Sequence, residues 1–548
     1  MPFRDECGVF GISPQSEAAR QTYLGLYALQ HRGQEAAGIC SREDGKLFLH
    51  KAQGHVADIF DQPTLDSLPG DTAIGHTRYS TTGGNVASAA HPFLIHGRFG
   101  QVALCHNGNL TNTEALRTEL IKEGHTFTSP SDSEVILALI NRAQSTNVDD
   151  AVVEALQRCE GAFSLLILTA DAIMAARDPR GFRPLAMGEL AGAVVFSSET
   201  CAFDLLGANY LRQVEPGELV IVRGTTARSR FPRPKVQPKP CSFEHVYFAR
   251  PDSNVFDRTV MATRREMGRR LARRHPVEAD LVVPVPDSGM SAALGYADAS
   301  GIPFEFGMIR NHYVGRTFIE PKQSIRSFGV KVKLNPVRDL LEGKRVVLVD
   351  DSIVRGTTSK KIVEMVRAAG AKEVHLRISS PPTTHSCFYG IDTPSREQLI
   401  AFNRDVEAIR AFVNADTLGY LTLEDLQASV RDPDGGEGFC YACFTGEYPV
   451  IPESKEPVPK SSCAATTSGG MLRKEGPAGR CGPSSKGPDA AERPPDVVPP
   501  GWGGGRHPAA SDSNRVEALG SSRLPCGVPP GAPSATRGDF GTGSSGVC

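Results

Sequence analysis

Three groups of residues have the types and placement to do chemistry: a cysteine near the start of the chain, an acidic and hydroxyl-rich loop near residue 350, and four cysteines spread through the second half. Cys7 follows Met1–Glu6, and with those residues removed it would carry a thiol and a free α-amine together. An α-amine titrates near about 7.7–8.0, so part of it is neutral at pH 7 and can take the thiol proton. The resulting thiolate is a nucleophile, although a cysteine near the start of a chain is on its own a poor sign of one. In VVLVDDSIVRGTT (346–358) an apolar run ends in Asp350 and Asp351, and Ser352, Gly356, Thr357 and Thr358 lead into a helical pattern. Hydroxyls and backbone N–H groups at a helix N-terminus cradle a phosphate. Adjacent carboxylates hold sugar hydroxyls directly or through Mg2+. A second loop, VPVPDSG (283–289), sets Ser288 at a similar strand-to-helix turn. The plain alternative for either loop is a tight turn whose polar residues cap the helix.

Cys440 and Cys443 form C-x-x-C, and Cys241 and Cys387 bring the set to four. Four thiolates suit a [4Fe–4S] cluster or a tetrahedral zinc ion, buried free thiols are a third reading, and the spacing does not choose. The chain has 13 cysteines, an odd number, and its opening MPFRDECGVFGI shows no secretory signal. Thiols in such a chain point to catalysis or metal before disulfides. Cys40, Cys105, Cys159 and Cys201 sit singly among apolar or mixed neighbours and read as small buried hydrophobes.

Those centres need elements to position them. At about 150 residues per domain, 548 residues allow two to four domains. The balance of 60 Lys+Arg against 62 Asp+Glu gives a net charge of −2, without the basic excess of a nucleic-acid binder. No apolar run approaches the roughly 20 residues that span a bilayer. The expectation is a cytoplasmic, multidomain protein. CGVFGI, GKLFLH, TAIGHTRYST, QVALCHNG, FSLLILT and GAVVFSS are short β-rich runs, with AARQTYLGLYALQHRG and SDSEVILALINRAQ helical between them. This predicts an α+β domain on antiparallel sheet. The Pro- and basic-rich stretch 225–240 reads as a linker or a long extended connection. Beyond it, DLVVPVPDSG and GKRVVLVDDS are continuous apolar runs, each followed by a helical pattern, which is the grammar of a parallel α/β sheet covered on both faces. Ligands of such sheets bind at the carboxyl ends of the strands. Residues 454–548 contain 17 Gly, 14 Pro and 13 Ser and read as a disordered tail.

CGVFGI (7–12), QHRGQEAAGI (30–39), GHTRYSTTG (75–83), CHNGNL (105–110) and SDSE (131–134), in this order, resemble the N-terminal-nucleophile glutamine amidotransferases over most of residues 7–225. The resemblance implies an αββα sandwich with Cys7 as nucleophile. It assigns the Asn107 side chain and the Gly108 N–H to the oxyanion hole, with Arg78 on the glutamine carboxylate and Asp132 on its ammonium group. Singly, Arg78 and Asp132 are ordinary surface charges and Asn-Gly a common turn; the ordered set favours the functional reading. Because Cys7 is not residue 2, cleavage after Glu6 is required, as in members made with a short propeptide. VVLVDDSIVRGTT and VPVPDSG resemble type I phosphoribosyltransferases, which implies phosphoribosyl pyrophosphate at Asp350, Asp351, Ser352, Gly356, Thr357 and Thr358. Mg2+ would sit near Ser288, Asp350 and Asp351. Residues 311–333, with Arg316, Lys322, Arg326, Lys331 and Lys333, look like the loop that closes over that substrate, with an ordinary solvated loop as the competing reading.

Together the halves resemble the amidophosphoribosyltransferase family over residues 7–450, in its propeptide-bearing, iron–sulfur branch. That implies a propeptide 1–6, an amidotransferase domain 7–240, a phosphoribosyltransferase domain with its C-terminal segment 241–453, and the tail. It also implies a [4Fe–4S] cluster on Cys241, Cys387, Cys440 and Cys443, a homotetramer, and inhibition by purine nucleotides. The implied reaction aminates phosphoribosyl pyrophosphate with ammonia from glutamine, the first committed step of purine synthesis, without nucleic-acid or membrane partners. A glutamine-dependent sugar-phosphate aminotransferase would leave VVLVDDSIVRGTT unexplained. A ligand-sensing regulator would lack the glutaminase motifs and carry a basic DNA-binding segment.

Overall fold

Alternation along each strand of the first half sends neighbouring side chains to opposite faces, and both faces are buried. Val9 joins Cys40, Ile74, Cys105 and Leu166 in one core, while Phe10 packs with Ile12, Leu26 and Phe203 in another. The computed structural model describes residues 7–79, 89–312, 333–431 and 438–452. Residues 1–6, 80–83 of the third motif, most of the 311–333 loop and the 454–548 tail lie outside the described residues.

The first half is two stacked antiparallel sheets. A seven-stranded sheet runs in the order Asn209–Gln213, Ala186–Leu190, Ala193–Ser197, Gly8–Ser13, Thr72–Arg78, Ala36–Glu43, Lys46–Gln53. A six-stranded sheet runs Thr226–Arg230, Leu219–Arg223, Ile173–Arg177, Gly161–Leu168, Gly100–Leu110, Phe93–Gly97. Helix Ala18–Ala28 covers the first sheet through Ala18, Ala19 and Leu26. Helices Asp132–Arg142 and Val148–Arg158 cover the second through Val135, Ile136 and Val152. This is the expected αββα order. Ser131 caps Asp132–Arg142 by accepting from the Ser133 N–H.

One expectation changes. Residues 226–230, read as part of a linker, form an edge strand paired antiparallel with Leu219–Arg223. Thr-Ala-Arg-Ser-Arg follows a turn at Gly224, and its largely exposed polar side chains suit a sheet edge. The linker therefore begins at about residue 231.

The second half has a parallel sheet in the order Leu281–Pro284, Arg345–Asp350, Glu373–Ile378, Thr417–Tyr420. Val347 and Val349 face the helices Val260–Arg274 and Met290–Ser300, whereas Val346 and Leu348 face Thr357–Ala368 through Ile362 and Val363. The double cover explains the unbroken apolar runs. No helix among the described residues is long and apolar enough to cross a membrane.

Candidate active site

Cys7 leads into the strand Gly8–Ser13, whose Gly8 pairs with Thr77 on the neighbouring strand. The register brings the backbone of Cys7 alongside the end of the strand that carries the buried Arg78, and Cys7 Sγ donates to the Tyr79 carbonyl at 3.5 Å. His76 Nε2 donates to the His106 carbonyl at 2.9 Å, bridging this sheet to the strand Gly100–Leu110 that carries Asn107 and Gly108. Asn107 is buried, and its Nδ2 has no hydrogen-bond partner in the described protein. A buried donor without a partner costs about 1–3 kcal/mol and calls for a reason; a ligand oxygen supplies one. Gly108 has φ +147, and a Cβ there would meet the Ala162 carbonyl oxygen at 2.2 Å, so only glycine fits.

Asp132 opens its helix and is buried, accepting from the Leu110 N–H at 3.0 Å. Burial pushes its carboxyl up, but His106, 3.4 Å away through Nδ1, and the Leu110 and Ser133 N–H groups outweigh that and hold it below the usual range. Asp132 is thus a fixed anion, suited to a cation such as an ammonium group. Ser133 Oγ joins it to His91 Nε2 at 2.8 Å and His106 Nδ1 at 3.1 Å. This histidine cluster had no spacing signal in the sequence.

The second site forms at the carboxyl ends of the adjacent parallel strands Leu281–Pro284 and Arg345–Asp350. Asp350 and Asp351 are buried, and both carboxyls are pushed up, chiefly by burial; at Asp350 the Asp351 charge adds to it. Ser288 and Ser352 hydrogen-bond the Asp351 carboxylate. The two predicted loops therefore meet. Two buried carboxylates side by side favour a cation between them, which fits Mg2+. Gly356 N-caps the helix that Thr357 and Thr358 begin, and the first N–H groups of a helix have no partner within it.

The four cysteines also come together. Cys241 and Cys440 pair in a β-bridge. The Cys443 carbonyl accepts from Thr384 and His385, each at 3.0 Å, which ties C-x-x-C to the segment carrying Cys387. Burial pushes the Cys440 thiol up to about 12; Cys443 is raised by burial and by the thiols of Cys241, Cys440 and Cys387. Cys387 Sγ accepts from the Tyr389 N–H at 3.3 Å. Such thiols ionise only when a metal compensates the charge, and N–H···S bonds are a usual complement of cluster thiolates. Among the described residues no three His, Cys, Asp or Glu side chains are grouped so as to hold a metal ion. Cys40, Cys105, Cys159 and Cys201 are buried in cores with thiols raised by burial, as inert hydrophobes should be.

The sequence reading missed a buried ion network behind Cys7, formed by Arg32, Arg183, Glu199 and Glu244. Arg32 falls inside the QHRGQEAAGI motif, but no local pattern tied it to the two glutamates.

The fold and these two sites define a glutamine amidotransferase joined to a phosphoribosyltransferase. A family model described as a glutamine amidotransferase domain matches residues 76–204, and one described as a phosphoribosyl transferase domain matches 265–379. The chain is 52% identical over 451 residues to amidophosphoribosyltransferase 1, chloroplastic, of Arabidopsis thaliana, covering 82% of this chain and 79% of that one. It is 48% identical over 464 residues to the amidophosphoribosyltransferase of Bacillus subtilis, covering 83% and 98%. A solved B. subtilis glutamine phosphoribosylpyrophosphate amidotransferase, complexed with ADP and GMP, superposes with a TM-score of 0.77 at 47% identity, covering 82% of this chain and all of that one. This chain belongs to the amidophosphoribosyltransferase family.

Proposed function

We propose the following division of labour for the family reaction, in which glutamine and phosphoribosyl pyrophosphate give 5-phosphoribosylamine, glutamate and pyrophosphate. Removal of residues 1–6 exposes the Cys7 amine, which takes the thiol proton, and the thiolate attacks the glutamine side-chain amide. Arg78 pairs with the glutamine carboxylate and Asp132 with its ammonium group. Asn107 Nδ2 and the Gly108 N–H receive the oxyanion, and preorganised donors are worth most where charge develops. The adduct collapses by breaking its C–N bond, the Cys7 ammonium returning its proton to the departing ammonia; water then hydrolyses the thioester to glutamate, and the ammonia passes within the protein to the second site. There it attacks the anomeric carbon as the bond to pyrophosphate breaks. Ser352, Gly356, Thr357 and Thr358 hold the phosphate, which positions the substrate for a nucleophile needing little acid–base help. Ser288, Asp350 and Asp351 would hold Mg2+, which when bound offsets the charge on the departing pyrophosphate.

The observation that carries this reading is the partnerless, buried Asn107 Nδ2 on the strand bridged to Arg78's own. Cys7→Ala tests it. Glutamate release and glutamine-dependent synthesis should disappear, while pyrophosphate release with high ammonia persists. Full glutamine activity in that variant would remove Cys7 from the mechanism.

We also propose that Cys241, Cys387, Cys440 and Cys443 hold a [4Fe–4S] cluster that clips the linker and C-terminal segment to the second half. The burial of Cys241, Cys440 and Cys443, and the closeness of all three partners to Cys443, support it. A cytoplasmic homotetramer inhibited by purine nucleotides completes the proposal; the ADP and GMP bound to the B. subtilis relative support the last point.

A further inference from the structure

We infer that Glu244, a residue beyond the linker in the phosphoribosyltransferase half, is a positioning residue for the Cys7 nucleophile. The inference rests on the glutaminase reading above. Arg32 Nε donates to the Cys7 carbonyl at 3.0 Å. The two ends of the same guanidinium donate to Glu244, Nη1 to Oε2 at 3.0 Å and Nη2 to Oε1 at 2.9 Å. Nη1 also donates to Glu199 Oε1 at 2.6 Å. The side chains of Arg32, Glu199 and Glu244 are fully buried. Such a planar fork is fixed in two directions at once.

After cleavage Cys7 has no preceding peptide, so its carbonyl is the one backbone acceptor its own residue offers for holding it. Arg32 uses that acceptor, and Glu244 orients Arg32. Stability alone is a poor explanation of the arrangement, because the desolvation of buried ion pairs offsets most of their attraction. Placement is a better one: a nucleophile 1 Å out of position loses about a hundredfold in rate.

Glu244 is itself held from the second half. It begins the π-helical turn Glu244–Phe248, a geometry frequent at functional sites. Arg264, on helix Val260–Arg274, donates from Nε to the His245 carbonyl at 2.7 Å and from Nη2 to the Ala249 carbonyl at 2.8 Å. Glu199 grips the chain just beyond the turn, accepting from the Arg250 N–H at 2.8 Å and Ser253 Oγ at 2.7 Å. The setting of the glutaminase nucleophile is therefore imposed across the domain boundary.

The test uses the full-length, cleaved protein. Glu244→Gln keeps the shape but removes the charge that fixes Arg32. Glutamine-hydrolysis kcat should fall about tenfold to a hundredfold, with KM for glutamine within about threefold and ammonia-dependent pyrophosphate release within about twofold. The excess positive charge left near the Cys7 amine should also move the acid limb of the glutamine pH profile to lower pH. Glu244→Asp, which restores the charge at a shorter reach, should recover part of the lost kcat and decides the matter if the Gln variant does not fold. An unchanged kcat, or a proportional loss of glutamine and ammonia activities, would overturn the inference. A failure of the glutaminase reading itself would appear separately, as glutamine activity surviving Cys7→Ala.

Discussion

Gly390 rests directly on Gly108: a Cβ at Gly390 would stand 2.9 Å from the Gly108 Cα. Beside this contact Asn109 Nδ2 donates to the Phe388 carbonyl at 3.0 Å, and Tyr389 stacks on Phe182 with ring centroids 4.1 Å apart. The strand carrying the candidate oxyanion donors is thus backed by the loop that carries Cys387.

Gly390→Ala should displace that strand, because φ is +105 at this position and neither backbone can yield without breaking the Asn109 bond. The expected outcome is a loss of about 1–3 kcal/mol in stability, with glutamine-dependent kcat reduced more than ammonia-dependent kcat. Thermal melting and the two rates measured side by side check it.

Asn107→Ala removes a donor that has no partner among the described residues and so strips away little of the structure described. Glutamine hydrolysis should fall by about 10²–10³ in kcat. The melting temperature should stay near that of the parent or rise, since a buried unsatisfied amide is lost. A large fall in melting temperature without a change in kcat would contradict the assignment.

Metal content separates the readings of the four cysteines. Protein purified without oxygen should carry about four iron atoms per chain, against one zinc for a tetrahedral site. Cys443→Ser should lose the iron and melt earlier. Iron retained at the parent level would remove Cys443 from the ligand set.

The histidine cluster makes the protein sensitive to acid. Burial holds His76 down at about 3, and His91, stacked on it at 4.3 Å, well below its ordinary value, with the charges of Arg78, His106 and Lys51 adding to the effect. Both are neutral when folded, whereas in the unfolded chain they take up protons below about pH 6.5. Their stabilising contribution is complete above that pH and is lost as pH falls towards 3. At pH 5 His76 alone accounts for roughly 2 kcal/mol. Denaturation midpoints at pH 7.5 and 5 should differ accordingly, and His76→Gln should narrow the gap.

Much of this was present in the chain itself. Period-two alternation, unbroken apolar runs and the turns between them are local properties that predict an α+β domain on antiparallel sheet followed by a doubly covered parallel sheet, while the αββα layering followed from the family resemblance. Asp350 and Asp351 stood out because an apolar run ends in them and a helix start follows; Cys7, Asn107 and Gly108 stood out only through the ordered motifs that resemble the glutamine amidotransferases. The rest required the folded chain. That Ser288 meets Asp351, that Cys241 and Cys443 join one core and Cys440 a second with Cys387 packed against both, and that 226–230 closes a sheet edge are consequences of which surfaces bury against which. The clearest case is Arg32, whose hold on Cys7 depends on Glu199 and Glu244, 167 and 212 positions away along the chain. No spacing rule relates such residues, because the Arg32–Glu199 contact is set by the folding of the first half and the Arg32–Glu244 contact by the docking of the second half onto it.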